Sequence, residues 1–373
     1  FKEINMSIYR PQIGTPLAEL DTPCMIVDLD ALEHNFDVIA DLYADSPTKM
    51  REHAKNIKTP IILHKQIRAG GTMGGICTAK TAEAEVMVEG GLTDILITSQ
   101  VVAPDKLARV AALSKIADIK LSVDSDGPLN ELSRISSEMG ADVGVVLEVD
   151  TSMGRGGVRA IERGVELAKM TNDLPGVTFR GVMSHQSLPA GADNDRESRF
   201  IEGRRYIQMC LDVKDAIEAE GISVDIVSTG ETWTYDVAPE IPGVDEVQGG
   251  TYALMATQAD YMDAFQYAVK VLSTVISTPE SNVAVGDVGY RAMTSPGGVL
   301  PRVDGIVGVE VESLEADVIV LRSDGEMPLD VGDQFLLLSA QQDIMVNRWD
   351  QFVAVRNGKV EAVWPILARG CHH

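Results

Sequence analysis

Cysteine is scarce in this chain: its 373 residues hold four, Cys24, Cys77, Cys210 and Cys371. They are widely scattered with no CxxC spacing, which leaves neither a zinc knuckle nor a disulfide framework. Basic residues are also in deficit, 32 Lys and Arg against 56 Asp and Glu for a formal net charge of −24. Nucleic acid and anionic membranes are bound through basic patches, so both are excluded as partners. No apolar run approaches the length of a membrane span, and the N-terminus carries no signal-peptide pattern. Internal repeats and low-complexity tracts are absent as well. The expectation is a soluble chain in a reducing cytoplasm.

What is present is a hydrophobic content of 45%, enough for a large core, in a chain longer than one small domain. Thr22–Asp28 reads as a short buried strand, followed by an amphipathic helix capped by Asp30, with Leu32, Phe36, Ile39 and Leu42 on one face. A two-part rhythm then begins. Strand-like runs at Lys49–Lys55, Gly74–Ala79, Asp94–Gln100, Ile119–Val123, Val143–Glu148, Phe179–Ser184, Val224–Val227 and Glu246–Gln248 alternate with helical patterns such as Thr81–Gly90, Pro104–Ile116, Leu129–Met139, Ala160–Met170 and Glu197–Glu220. Eight strands with helix-length segments between them predict an α/β fold of the (β/α)8 barrel type over residues 29–265. After Met262 the pattern turns β-rich, with a strong hairpin signal at Arg356-Asn357-Gly358-Lys359. Residues 1–28 and 266–373 are therefore expected to form a second, all-β domain.

In such barrels chemistry sits at the C-terminal ends of the strands. The first strand ends in Met50-Arg51-Glu52-His53-Ala54-Lys55-Asn56-Ile57-Lys58, which is heavily charged for a strand interior. A buried ammonium tends to lose its proton and so becomes a nucleophile, which makes Lys55 a candidate to bond a carbonyl cofactor. The alternative is a strand that frays into the polar turn at Lys58-Thr59-Pro60. Ser228-Thr229-Gly230-Glu231-Thr232 and Gly249-Gly250-Thr251-Tyr252 follow the seventh and eighth strands, where barrels commonly hold a phosphate on backbone N–H and hydroxyl groups. Taken singly, each is equally an ordinary turn. Four histidines lie outside the terminal pair; His34 and His64 fall on helical segments and read as structural, leaving His53 and His185 at strand ends.

These residues resemble the fold-type III pyridoxal-phosphate enzymes, on the branch of D-threonine aldolase, 3-hydroxy-D-aspartate aldolase and the D-serine and D-threo-3-hydroxyaspartate dehydratases. The resemblance runs from Thr22-Pro23 to Trp364. Its most specific element is the family's Arg-Pro-His-x-Lys-x-His-Lys box, present here as Arg51 to Lys58. The resemblance implies an alanine racemase-like barrel with pyridoxal 5′-phosphate on Lys55. It also implies Arg155, in Val149–Val158, at the pyridine ring. Cofactor contacts are implied from His53, Ser228, Thr229, Gly230, Thr232, Gly250, Thr251 and Tyr252, with His185 stacking on the cofactor, hydrogen-bonding it or moving a proton.

The chain departs from the family pattern at informative points. Glu52 replaces a proline and Ile57 a histidine; the aldolases' Gly-Tyr-Glu-Gly-His becomes Ser184-His185-Gln186-Ser187-Leu188. Their Ser-His-Cys-Asp-Pro-Thr-Val-Asn becomes Ala340-Gln341-Gln342-Asp343-Ile344-Met345-Val346-Asn347. Gln341 and Asp343 form a hard oxygen pair suited to Mg²⁺, Mn²⁺ or Ca²⁺, with Asp317 as an additional carboxylate; the alternative is a strand-end cap without an ion. The implied activity is a lyase that cleaves a β-hydroxy D-amino acid to an amino acid such as glycine plus an aldehyde. Dehydration of the same substrate class and racemisation are the alternatives, as is a cofactor-binding protein without turnover. A homodimer is expected.

Overall fold

A computed structural model describes residues 9–373; of the 1–28 segment expected in the all-β domain, residues 1–8 lie outside the described residues. The chain folds as two compact units. One consists of residues 36–55, 60–250 and 371–373, and the other of the described residues up to Asn35 with residues 56–59 and 251–370.

Strand β1 (Cys24–Asp28) leads into helix α1 (Leu29–Leu42). The cap is Asp28, not Asp30: its Oδ1 accepts the backbone N–H groups of Asp30 and Ala31 at 3.1 and 3.2 Å. Asp30 is one residue too far along, and pairs with Arg356 instead. Leu32, Phe36 and Ile39 are buried as their spacing predicts, whereas Leu42 is exposed at the fraying last turn.

The first unit is a closed eight-stranded parallel barrel: β2 (Lys49–His53), β3 (Thr72–Thr78), β4 (Asp94–Ile97), β5 (Asp118–Val123), β6 (Val143–Glu148), β7 (Val177–Met183), β8 (Ile226–Glu231) and β9 (Glu246–Gln248), with β9 pairing back onto β2. Helices α2 (Pro60–Ala69), α3 (Thr81–Glu89), α4 (Pro104–Leu113), α5 (Asp126–Met139), α6 (Ile161–Asp173) and α7 (Arg196–Ala219) provide crossovers between successive strands. All eight expected strands are present. Helix α2 starts at Pro60, where a polar turn was one reading; proline is well suited to a first helical position because its missing N–H would have no helical partner there.

The barrel interior is layered. Cys77, Leu96, Val146 and Met183 form a fully buried apolar cluster contributed by β3, β4, β6 and β7. Toward the N-terminal strand ends lies an ionic cluster: Arg51 is held by both oxygens of Glu246 at 2.5 and 2.6 Å and by Asp94 at 2.9 Å. Lys120 bridges Asp94 and Asp118 at 2.8 and 2.7 Å. Burial works against the Arg51 charge, but Glu246 and Asp94 more than offset it. Gly75 makes the pairing possible, since a Cβ there would lie 2.4 Å from both Arg51 Nη1 and Asp94 Oδ2.

The second unit is a nine-stranded sheet in the order β13-β14-β11-β10-β1-β16-β17, with β15 on β10 and β12 on β15. These strands are β10 (Val269–Glu280), β11 (Val283–Gly286), β12 (Arg302–Asp304), β13 (Val309–Leu314), β14 (Ile319–Ser323), β15 (Gln334–Leu338), β16 (Gln351–Arg356) and β17 (Lys359–Pro365). β1 joins this sheet, antiparallel to β10 and parallel to β16. Asn357 and Gly358 have φ of 50° and 69°, the left-handed pair of a hairpin turn closing Arg356 onto Lys359. Gly305 and Gly308 both take positive φ in the connection between β12 and β13. Short helices α8 (Thr251–Leu254) and α9 (Gln342–Val346) complete the described elements. No helix among the described residues is long and apolar enough to cross a membrane.

Candidate active site

Alternation along β2 turns Arg51 and His53 to the same side, Arg51 deep and His53 nearer the C-terminal mouth. Lys55 follows within the short helical turn Ala54–Asn56 and is half-buried. The buried His53 ring lies between the Lys55 backbone N–H, 3.5 Å from Nδ1, and the Thr98 hydroxyl, 3.3 Å from Nε2. The charge of this strand is thus divided by depth: the arginine serves the ionic cluster, and only the lysine reaches the mouth.

The loop after β6 carries Arg155. Its base is a parallel bridge between Val149 and Val158, and its turn is held by Gly154 N–H donating to Asp150 and Gly157 N–H donating to Asp124, both at 3.0 Å. Arg155 itself is exposed. Beneath it, Glu148 accepts from the Gln100 amide and the Ser122 hydroxyl. Burial raises the Glu148 carboxyl above the usual range, while the Gln100 bond and the Arg155 charge pull it back.

β8 runs further than the sequence indicates, to Glu231, so Ser228, Thr229 and Gly230 lie in the strand rather than in a loop beyond it. A register shift between Ser228 and Glu231 on β9 accommodates the extension. Their polar groups are already engaged: Gln248 Nε2 donates to Ser228 Oγ, Thr229 Oγ1 meets Ser184 Oγ and the Gln186 amide, and Gly230 N–H donates to Gln186 Oε1. Gly230 sits at φ 92°, where a Cβ would come within 2.8 Å of Thr234 Oγ1. Gly250 N–H donates to Thr232 Oγ1 at 3.1 Å. Thr251 and Tyr252 open α8 in the second unit, with the buried Tyr252 ring 5.5 Å from Phe265.

The structure therefore brings Lys55, Arg155 and His185 into electrostatic reach of one another, and adds Glu231, which in the sequence is only part of a turn-like stretch. Glu231 Oε1 accepts from the Trp233 indole N–H at 2.9 Å, and Oε2 stands 3.7 Å from His185 Nε2. Burial, reinforced by the positive charges of Lys55 and Arg155, lowers His185 to about 3, so it is neutral at physiological pH. Burial raises Glu231 to about 7 against the opposing pull of Lys55, the Trp233 bond and Arg155. The sequence signal for Glu231 was an acid inside a glycine- and hydroxyl-rich strand end; only the barrel shows what it faces.

Gln341 and Asp343 lie in the second unit, at the start of α9. Asp343 Oδ1 accepts the Ile344 N–H at 2.7 Å, and the Gln341 carbonyl accepts from Thr294 and Ser339. Asp317 pairs with Arg291 at 2.6 Å. Among the described residues no group of three or more His, Cys, Asp or Glu is placed to hold a metal ion. His34 and His64 bond backbone carbonyls of Ala264 and Gly90, as structural histidines do.

Residues 27–258 match the family described as alanine racemase, N-terminal domain, and residues 268–355 match that described as putative serine dehydratase domain. The chain is 34% identical to a 3-hydroxy-D-aspartate aldolase of Paracoccus denitrificans over 96% of its length and 94% of the relative's. A D-threo-3-hydroxyaspartate dehydratase of a Delftia species is 28% identical over 86% of this chain and 89% of that one. Among solved structures, D-threonine aldolase from Filomicrobium marinum superposes with a TM-score of 0.91 at 30% identity, covering 97% of this chain and 100% of the other. The chain belongs to the family of the alanine racemase N-terminal domain, and within it stands beside aldolases of D-configured β-hydroxy amino acids.

Proposed function

We propose that this chain is a pyridoxal-phosphate-dependent lyase that cleaves Cα–Cβ of a β-hydroxy D-amino acid, releasing an amino acid such as glycine and an aldehyde. The observation that carries the reading is the convergence of Lys55, Arg155 and His185 at the barrel mouth, in a chain 34% identical to a 3-hydroxy-D-aspartate aldolase. The donor set suits the cofactor. An amine stands at the strand end, a guanidinium and a neutral imidazole beside it, and the buried Gln248 Oε1 has no hydrogen-bond partner among the described residues. Thr232 and Gly250 are assigned to the phosphate.

Bound pyridoxal phosphate supplies an electron sink for the pair released at Cα. Lys55 is the amine that would hold the cofactor through its carbonyl carbon. Arg155 would place positive charge at the ring, and neutral His185 would pack or hydrogen-bond there without adding a second one. Dehydration is the second reading, favoured by the serine dehydratase match over residues 268–355. The proposal extends to a Mg²⁺, Mn²⁺ or Ca²⁺ ion on Gln341 and Asp343. Two oxygen donors fall short of a six- to eight-ligand shell, so water or substrate would have to complete it, and no step is assigned to the ion.

The test is spectroscopic and chemical together. Protein supplied with pyridoxal phosphate should show a lysine-bound cofactor band, and borohydride should trap the label on Lys55. Lys55→Ala should lack both. A band that survives unchanged in Lys55→Ala would refute the assignment, and ammonia without aldehyde from 3-hydroxy-D-aspartate would transfer the reading to the dehydratase.

A further inference from the structure

We propose that Glu231 is a catalytic residue, the acceptor of the substrate's β-hydroxyl proton, working beside His185; this rests on the lyase reading above. Carbon–carbon cleavage needs a base at the β-oxygen. The O–H bond breaks and its proton goes to the Glu231 carboxylate, the oxygen's electron pair forms the aldehyde C=O, and the Cα–Cβ pair stays with Cα. Cα then takes a proton from the Lys55 ammonium, and Glu231 returns its own to water at the mouth. Atoms and charge balance, and the resting protonation is restored.

The choice of Glu231 follows from what the carboxylates at this end of the barrel are doing. Glu148 is taken up by Gln100 and Ser122, Asp124 by the Gly157 N–H, and Asp150 by the Gly154 N–H and Arg159. Those bonds hold loops and strands in place. Glu231 differs: one oxygen is fixed by the Trp233 indole, itself 3.3 Å from the Gln186 carbonyl, while the other is turned toward His185 across 3.7 Å. That gap is longer than a hydrogen bond and leaves the oxygen available to a third group. The charged and titratable groups facing it are Lys55 from the end of β2, Arg155 from the loop after β6 and His185 from the end of β7. None is a competing base: Lys55 at this stage is the ammonium that protonates Cα, Arg155 does not deprotonate, and His185 is too weakly basic. The Glu231 carboxyl, raised to about 7, is matched to a base working near neutrality, where an ordinary surface glutamate would be too weak.

The test compares wild type, Glu231→Gln and Trp233→Phe, each loaded with pyridoxal phosphate, using D-threonine and 3-hydroxy-D-aspartate as probes. Glu231→Gln should keep the lysine-bound cofactor band and exchange glycine α-protons in D₂O at the wild-type rate, because that exchange involves no β-hydroxyl. It should lose about 100-fold or more in kcat on the hydroxy substrates with KM little changed, and lose the acidic limb of the wild-type pH profile near 7. Trp233→Phe removes a bond that favours the carboxylate, so its acidic limb should move to higher pH. An acidic limb retained in Glu231→Gln, unimpaired kcat, or failure of that variant to load cofactor would each overturn the proposal. A wild type that loads cofactor but yields no aldehyde from either probe would overturn the lyase reading and this proposal together. Failure of the proposal alone appears only in the comparison of variant with wild type.

Discussion

Glu231 and His185 also leave a signature in stability. Burial raises Glu231 from 4.5 to about 7, so the fold keeps a proton that the unfolded chain has lost. Its contribution is full below pH 4.5 and is lost as pH rises through 7. His185, lowered from 6.5 to about 3, works in the other direction: its contribution is full above pH 6.5 and is lost as pH falls through 3. Between pH 4.5 and 6.5 the two slopes oppose one another. Urea midpoints of wild type should therefore change little across that window, while those of Glu231→Gln should climb with pH. Parallel profiles would contradict the opposed shifts. With 22% of the Glu231 side chain exposed, solvent moderates the size of the effect and not its sign.

At the scale of elements, the barrel is anchored at its N-terminal end by charge and does its chemistry at the other. Burial alone would raise Asp94, yet Arg51 and Lys120 hold it below the usual carboxylate range. Arg51→Met would leave Glu246 buried without its counter-charge, and thermal unfolding should report a loss of about 3–5 kcal/mol. Replacing the pair together with apolar residues of similar volume should cost much less, since a buried ion pair is often no better than good packing. Gly75→Ala tests the same cluster without removing a charge: the added methyl forces Arg51 and Asp94 apart and should also destabilise the barrel. A Gly75→Ala protein as stable as wild type would show that the cluster is not closely fitted.

For the molecule as a whole, sedimentation tests the assembly and chelation tests the proposed ion. The chain is expected to sediment as a homodimer, the commonest symmetric assembly, and a fully active monomer would refute that. Chelation followed by add-back of Mn²⁺, Mg²⁺ or Ca²⁺ tests the ion at Gln341 and Asp343. If an ion is bound there, treatment with a chelator should lower aldehyde production, Mn²⁺ should restore it, and Asp343→Ala should respond to neither. Unchanged turnover after chelation would refute an ion at that pair.

The alternation of short apolar runs with helix-length segments determined the eight-stranded barrel, and turn residues such as Asn357-Gly358 determined the hairpin that ends the sheet, because both are local properties of pattern and backbone preference. The box around Lys55 was legible for the same reason: a nucleophilic lysine and its flanking charges lie within a few residues of each other. Tertiary structure decided which charges are buried as ballast and which are presented. Arg51 and Lys55 are four residues apart, yet one is locked to Glu246 and Asp94 across the barrel floor and the other stands at the mouth, a difference of depth between a strand and the turn that ends it that no linear spacing encodes. Ser228 and Thr229 look like ligand donors in the sequence, but once β8 extends to Glu231 their hydroxyls are taken up by neighbouring side chains. Glu231 itself was only an acid within a turn until the closed barrel set it 3.7 Å from a histidine 46 positions away in sequence, because burial and opposing charge depend on neighbours in space.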